Sequence, residues 1–318
     1  MKISGFTMGK NVSKLYYPFK ESIESILPIV DEFVVALGDS DEDDNTQQVI
    51  ESINSDKIKI IHTVWDIENF PDGTENARQT NIAKKECTGD WLLHLQADEV
   101  IHEKYLPVIK NACQKYLNDK RIEGFLFKYK HFFGDYEHFN NYYGWYPKEI
   151  RLIRNLPDIY SFRSAQSFKR VPNFDEKNYR QKAGTFPLNV VELNAYIYHY
   201  GWVRPPEYMQ KKTKSLDTIH KGKKHVEEEY KSKSAEFDYG NLYRLPVFKE
   251  THPKVMSAKI KEFNWKHKLN YEKSYKPRRM KMRHERFKNR FLTFVFKTFF
   301  GGKQLFGYSN WNIVAKEN

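Results

Sequence analysis

Short apolar runs alternate with segments of helical period through the first hundred residues, and this alternation restricts the fold more than any other feature of the chain. Ile3 to Thr7 reads as a buried strand. Asn11 to Ile26 carries Val12, Leu15, Phe19, Ile23 and Ile26 at spacings near 3.6, which predicts a helix closed by Pro28. Phe33 to Leu37 predicts a second strand, Gly38 to Asn45 an acidic turn, and Thr46 to Ile53 a helix. Lys57 to Thr63 then predicts a third strand, Glu75 to Cys87 a helix ended by Gly89, and Trp91 to Leu95 a fourth strand. Strands that alternate with helices build βαβ units and a mostly parallel sheet. Right-handed crossovers bring the carboxyl ends of such strands to one edge, where open α/β sheets bind ligands. That edge collects Phe6-Thr7-Met8, Asp39 and Gln96-Ala97-Asp98-Glu99.

The last of these groups has two readings. An apolar strand that runs into Asp and Glu suits a hard cation and the phosphates it carries. It equally suits the N-terminus of an acidic helix. Three polar strand ends on one edge favour a binding site. From about residue 121 the pattern changes, with strands expected at Gly124 to Phe133 and Glu149 to Ile153 around an aromatic loop, His131 to Pro147. Tyr198-His199-Tyr200-Gly201-Trp202 precedes Arg204-Pro205-Pro206, and the two prolines predict a helix from Glu207 onward.

Composition narrows the class. At 40% hydrophobic and 16% aromatic, the 318 residues have ample material for a core. Two cysteines, Cys87 and Cys113, with no CxxC pair, exclude a disulfide framework and a structural zinc site. No run of 18 apolar residues exists, so no membrane-spanning helix is expected, and the setting is read as reducing and cytoplasmic. The net charge of +12 is local. Between Lys254 and Lys303, sixteen Lys and Arg meet only three acids, Glu262, Glu272 and Glu285, which accounts for all of it.

Four motifs together resemble a family-2-type glycosyltransferase with the GT-A fold. They are Ile3 to Asn11; Val30-Asp31-Glu32 through Asp39-Ser40 to Asp44-Asn45-Thr46; Asn76-Ala77-Arg78 to Asn81 with Thr88-Gly89-Asp90-Trp91; and Gln96-Ala97-Asp98-Glu99 in place of the metal-binding acidic motif. The resemblance covers residues 1–105 well and 120–215 more loosely. One departure stands out: the first acid of the metal motif is Gln96 here, which brings no charge. The resemblance implies an α/β, Rossmann-like, mostly parallel sheet flanked by helices. It divides the chain into a nucleotide-sugar transferase domain at 1–215 and a basic, aromatic, helical appendage at 216–318.

The resemblance also assigns roles. Asp98 and His199 would hold Mn²⁺ or Mg²⁺, with Glu99 as an aid to Asp98. Thr7 and Met8 would line the base pocket through backbone contacts, and Asp39 would accept from the uracil or ribose. Arg78 and Asn81, on one helix face, together with Gln96 and Arg204, would contact the donor. Glu149 is the candidate general base, with Asp135 and Glu137 as rivals. Each has a plain alternative: a core histidine, a solvated acidic turn, a surface arginine, and a Glu149 simply paired with Arg151. The stretch Lys276 to Lys303 interleaves cations with Phe287, Phe291, Phe294, Phe296, Phe299 and Phe300, which reads as a helix for an anionic membrane surface.

The expected activity is sugar transfer from a nucleotide-diphosphate donor to a glycan or lipid-linked acceptor. The expected setting is bacterial surface polysaccharide or lipopolysaccharide assembly, at the inner face of the membrane. Gln96 keeps open a non-catalytic protein of the same fold that binds nucleotide-sugar or scaffolds an assembly complex. A nucleic-acid binder is disfavoured, because the charge is confined to one end and no recognised motif accompanies it.

Overall fold

The computed structural model describes residues 1–301 and 309–317. The parallel half comprises β1 (Ile3–Gly9), α1 (Phe19–Glu24), β2 (Glu32–Leu37), α2 (Thr46–Glu51), β3 (Ile58–His62), α3 (Thr74–Lys85) and β4 (Trp91–His94). The middle comprises β5 (Glu99–Ile101), α4 (Leu106–Lys115), β6 (Gly124–Phe133), β7 (Phe139–Asn140), β8 (Lys148–Arg154), β9 (Ile159–Phe162), β10 (Ser167–Arg170) and β11 (Leu188–Trp202). There follow α5 (Pro206–Lys221), α6 (Lys223–Tyr230), α7 (Ser257–Lys261), α8 (Phe287–Phe299) and β12 (Trp311–Lys316).

Among the described residues, ten strands form one sheet whose main path runs β12-β11-β6-β8-β4-β1-β2-β3. β3, β2, β1 and β4 are parallel, as are β6, β11 and β12, while β8 lies antiparallel between β4 and β6. The mixed α/β class with a mostly parallel central sheet is therefore the one expected. Phe33 to Ala36 and Trp91 to Leu93 are buried throughout, so these strands read as continuous apolar runs, as strands covered on both faces do. The register pairs Thr7 with Val35 and Phe6 with His94, which brings the ends of β1, β2 and β4 level.

Three departures from expectation have physical causes. The helix expected over Asn11 to Ile26 is only Phe19–Glu24. Asn11 and Tyr16 take φ of 55° and 58°, which no right-handed helix contains. Val12, Phe19, Ile23 and Ile26 are buried all the same, so the period reported burial rather than helix. Second, no helix follows Asp98. The chain turns into β5, antiparallel to β11 with Glu99 opposite His199, which rules out the helix-cap reading. Third, the region after residue 215 is woven into the rest. Tyr239, Leu242, Met256 and Trp265 share a core with Val100, Phe132, Phe133, Tyr198 and Tyr200, and β12 joins the sheet beside β11. Of the basic stretch, α8 leaves Phe faces exposed, and Lys303 lies outside the described residues.

Candidate functional site

The ends of β1, β2 and β4 build one corner. Thr7 is fully buried and its hydroxyl donates to the Leu95 carbonyl at 2.6 Å, so it ties β1 to β4 and offers a ligand only backbone. Met8 beside it is half-buried. The Asp39 carboxylate accepts from the Trp65 N–H at 2.9 Å and pairs with Lys10 at 2.9 Å. Partial burial raises its pKa, but the Trp65 N–H and the Lys10 ammonium override this and hold it below the usual range. The Trp65 ring packs where a side chain at Gly38 would stand, and its Nε1–H has no partner among the described residues. Arg78 reaches this corner from α3. It donates to Glu75 at 2.7 Å and to the Val64 carbonyl at 3.2 Å, with its guanidinium 5.0 Å over Phe70. Asn81 does other work. Its amide donates to the Ser161 carbonyl at 3.0 Å and accepts the Ser161 N–H at 2.8 Å, fastening α3 to β9.

The centre of the site is Asp98, which β5 and the kinked end of β11 hold against His199. The Asp98 Oδ1 lies 3.6 Å from His199 Nε2, and its Oδ2 lies 3.1 Å from Lys212 Nζ. Burial raises the pKa of the Asp98 carboxyl, yet the adjacent Lys212 ammonium overrides it and keeps the group ionised well below the usual range. Burial in turn pushes Lys212 down to about 8, opposed by Asp98. Lys212 also donates to the Gly201 carbonyl at 2.6 Å. A Cβ at Gly201 would sit 2.5 Å from His199 Nε2 and 2.7 Å from Asp98 Oδ2, so only glycine leaves this cradle open. Arg204, fully buried, donates through Nη1 to the Leu15 carbonyl at 2.7 Å and lies 4.4 Å over Tyr17. Its Nε and Nη2 donors have no partner among the described residues.

The tautomer of His199 follows from its neighbours. His131 Nε2 lies 2.7 Å from the Tyr146 carbonyl, an acceptor only, so this nitrogen carries the proton. Burial keeps both rings neutral, pushing His131 down to about 3 and His199 to about 4. His131 Nδ1 is then a lone pair, and His199 Nδ1, 2.9 Å away, donates to it. His199 Nε2 is left with its own lone pair facing Asp98. Two lone-pair atoms at that spacing, with a cradle beside them, fit a bound cation, and a hydrogen-bonded partner behind a histidine ligand is the usual support for one. His131→Phe is expected to weaken Mn²⁺ binding by about 10- to 100-fold. An Mn²⁺ titration by electron paramagnetic resonance, with ¹⁵N chemical shifts reporting the His199 tautomer, checks this. Unchanged affinity and tautomer would remove His131 from the account.

Glu99 is not a helper to Asp98. Arg151 grips both its oxygens, Nε to Oε2 at 2.7 Å and Nη2 to Oε1 at 2.8 Å, and Tyr129 donates to Oε1 at 2.8 Å. Arg151 is thus the partner of Glu99 and not of Glu149. Glu149 is buried, accepts from Gln166 Nε2 at 3.0 Å, and is raised by that burial to about 7; its Oε2 has no partner among the described residues. The tip of the β9–β10 hairpin covers this region. Gln96 Nε2 donates to the Ala165 carbonyl at 3.1 Å, and both Arg163 and Ala165 hold positive φ, at 54° and 56°. Such strain in non-glycine residues concentrates at functional sites. The rivals for base, Asp135 and Glu137, sit on a separate turn with His138. Asp135 accepts there from the Glu137 and His138 N–H groups and from Tyr271.

The structure thus brings together Asp98, His199 and Arg204, keeps Asp39 and Arg78 at a neighbouring corner, and leaves Asn81 outside. Sequence reasoning missed Lys212, His131 and Trp65. Lys212 lies on α5 one turn and a half past the Pro205-Pro206 break, in a run of lysines from which nothing in the pattern distinguishes it.

No family model and no curated protein matches the chain. Among solved structures, S. aureus TarS is similar at 20% identity with a TM-score of 0.41, over 69% of this chain and 39% of that one. S. aureus TarS 1–349 in complex with UDP-GlcNAc is similar at 18% identity and a TM-score of 0.38, over 69% and 66% of the two chains. Glucosyl-3-phosphoglycerate synthase from Mycobacterium tuberculosis, in complex with Mn²⁺, UDP and phosphoglyceric acid, shows 17% identity and a TM-score of 0.29 over 40% and 42%. The chain thus spans well under half of the full TarS chain. These similarities are remote.

Proposed function

We propose that this chain is a glycosyltransferase that takes a sugar from a nucleotide-diphosphate donor bound along the carboxyl edge of β1, β2 and β4. The observation that carries this reading is the pairing of Asp98 Oδ1 with the His199 Nε2 lone pair, flanked by the buried cations Lys212 and Arg204. A diphosphate needs concentrated positive charge, and two unspent Arg204 donors with a Lys212 ammonium supply it. The Asp39 and Trp65 corner is suited to the nucleoside, Asp39 accepting from hydroxyl or ring N–H groups. Asp98 and His199 would hold a divalent cation, whose chemistry would be to neutralise charge on the leaving diphosphate. Without the carboxylate that Gln96 lacks, and with Lys212 already on Asp98, cation affinity is expected to be modest.

Glu149, poised by burial near neutrality, is the chain's candidate to take the acceptor proton. The hairpin tip at Arg163 to Gln166 must move for it to do so. A cavity of about 230 Å³ beyond His131, walled by Tyr143, Trp145, Tyr146 and Phe296, is suited to a glycan ring, since aromatic faces stack on sugars.

The test is a melting-temperature screen of nucleotide-sugars with and without Mn²⁺ or Mg²⁺, followed by measurement of nucleotide diphosphate release. A donor at 100 times its Kd should stabilise the fold by about 2.7 kcal/mol. Binding without release in the presence of acceptor glycans would favour the non-catalytic reading; no stabilisation by any nucleotide-sugar would overturn both.

We also read the acceptor as membrane-associated. α8 leaves Phe287, Phe291 and Phe294 as one stripe, 81%, 55% and 62% exposed, among Arg286, Lys288 and Arg290. An exposed apolar stripe rimmed by cations suits the interface of an anionic bilayer. No helix among the described residues is long and apolar enough to cross one.

A further inference from the structure

A cavity of about 540 Å³ lies at the root of α8, away from the strand-edge site. Six cations line it. Glu285, its only acid, is already held by Arg279, at 2.7 Å and 3.2 Å from the two guanidinium nitrogens, and by the Met282 N–H. The other five, Arg244, Lys273, Lys276, Lys281 and Arg290, have no carboxylate partner among the described residues. Five cations lining one cavity without an ion-pair partner favour an anion there, and the volume is that of a small-ligand site. Arg290 ties this cavity to the exposed helix stripe. On α8 it stands three residues from Phe287 and four from Phe294, the spacings that make helical neighbours. A ligand with its anionic end in the cavity therefore has a path for an apolar tail along the Phe stripe.

We propose that this cavity binds the phosphate-bearing headgroup of a membrane amphiphile, the group by which a lipid or a lipid-linked acceptor is held at the protein. It rests on the membrane reading above and is independent of whether transfer occurs. Phosphate fits because arginine forks and lysine points both serve tetrahedral oxyanions, and it is favoured over a sulfate ester of equal charge because its more basic oxygens accept stronger hydrogen bonds.

The experiment uses the full chain and two variants. One is Arg244→Gln/Lys276→Gln/Arg290→Gln and the other is Phe287→Ser/Phe291→Ser/Phe294→Ser. Five of the six positions are exposed and Arg290 is half-buried, and unchanged melting temperatures establish that the variants fold. Co-sedimentation is measured with vesicles of phosphatidylcholine, of phosphatidylcholine with phosphatidylglycerol, and of phosphatidylcholine with sulfatide at equal surface charge. Calorimetry with soluble pyrophosphate is run in parallel. The wild type is expected to prefer phosphatidylglycerol to sulfatide vesicles. The Gln variant should lose that preference, with binding reduced by about 100-fold for three charges, and should also lose pyrophosphate binding. The Ser variant should lose vesicle binding and keep pyrophosphate binding. Equal binding to phosphatidylglycerol and sulfatide, or a Gln variant that behaves as wild type, overturns the proposal in favour of diffuse surface charge. Pyrophosphate binding in a wild type that ignores all vesicles would assign the cavity to a free phosphate and overturn the membrane part.

Discussion

Asp98→Asn is expected to abolish cation-assisted donor binding and also to destabilise the fold by about 3–5 kcal/mol, the cost of leaving a buried ion-pair partner uncompensated. From the sequence alone, a residue at a strand end would be expected to tolerate this change. The structure shows otherwise: Asp98 and Lys212 are both buried and face each other at 3.1 Å. Asn cannot balance the ammonium, so Lys212 must remain charged without a counter-ion or give up its proton. The double variant Asp98→Asn/Lys212→Met should recover most of the lost stability, because it removes both charges, and should still fail to bind Mn²⁺. Urea unfolding gives the first quantity and a Mn²⁺ titration the second. If Asp98→Asn binds Mn²⁺ and donor as the wild type does, the assignment of this site is wrong. If it binds neither but loses no stability, the pairing with Lys212 is not the energetic feature described above.

Stability is expected to fall steeply between pH 6.5 and about 4. His131, His199 and His284 are buried and His252 is half-buried, and desolvation pushes them down to about 3, 4, 4 and 4 respectively; His94 is lowered as well, by burial and then by Arg151. The unfolded chain protonates its histidines near 6.5. Through this window the unfolded state binds protons that the folded state refuses, so the stability contributed by neutral burial is complete above pH 6.5 and drains away as pH falls. Each group contributes a slope of up to about 1.4 kcal/mol per pH unit. Lys212 acts at the other end. Its folded value of about 8 lies below that of the unfolded chain, so stability rises from about pH 8 upward as the unfolded lysine keeps its proton longer. Unfolding free energies at pH 7, 6, 5 and 4.5 measure the acid limb. His94→Phe should flatten it by one group's share, since His94 packs tilted against Phe6 and edge-on to Phe168, with no hydrogen-bond partner for either nitrogen among the described residues. A level profile would mean that the histidines are solvated.

What could be read without coordinates was whatever local chemistry repeats. The apolar runs at Ile3, Phe33 and Trp91, with helices between them, specify parallel strands, because only two-sided burial makes such runs favourable, while Lys57 to Thr63 reads as a strand by alternation and β3 is half-exposed. The same runs end in Asp39 and Gln96 to Asp98, so the edge carrying the site was visible too. The period over Asn11 to Ile26 misled because burial, not helicity, set it, and the positive φ of Asn11 and Tyr16 leaves no trace in an apolar pattern.

The tertiary structure alone decided which polar groups are free and which are spent. Glu99, adjacent to Asp98 in sequence, is consumed by Arg151, 52 residues away, while Asp98 itself pairs with Lys212, 114 residues away. His131 and His199 meet because β6 and β11 run side by side in register. Hydrogen-bond and charge satisfaction are properties of distance and orientation between remote strands. A sequence lists the donors and acceptors, but only the packed chain determines which of them remain to meet a ligand.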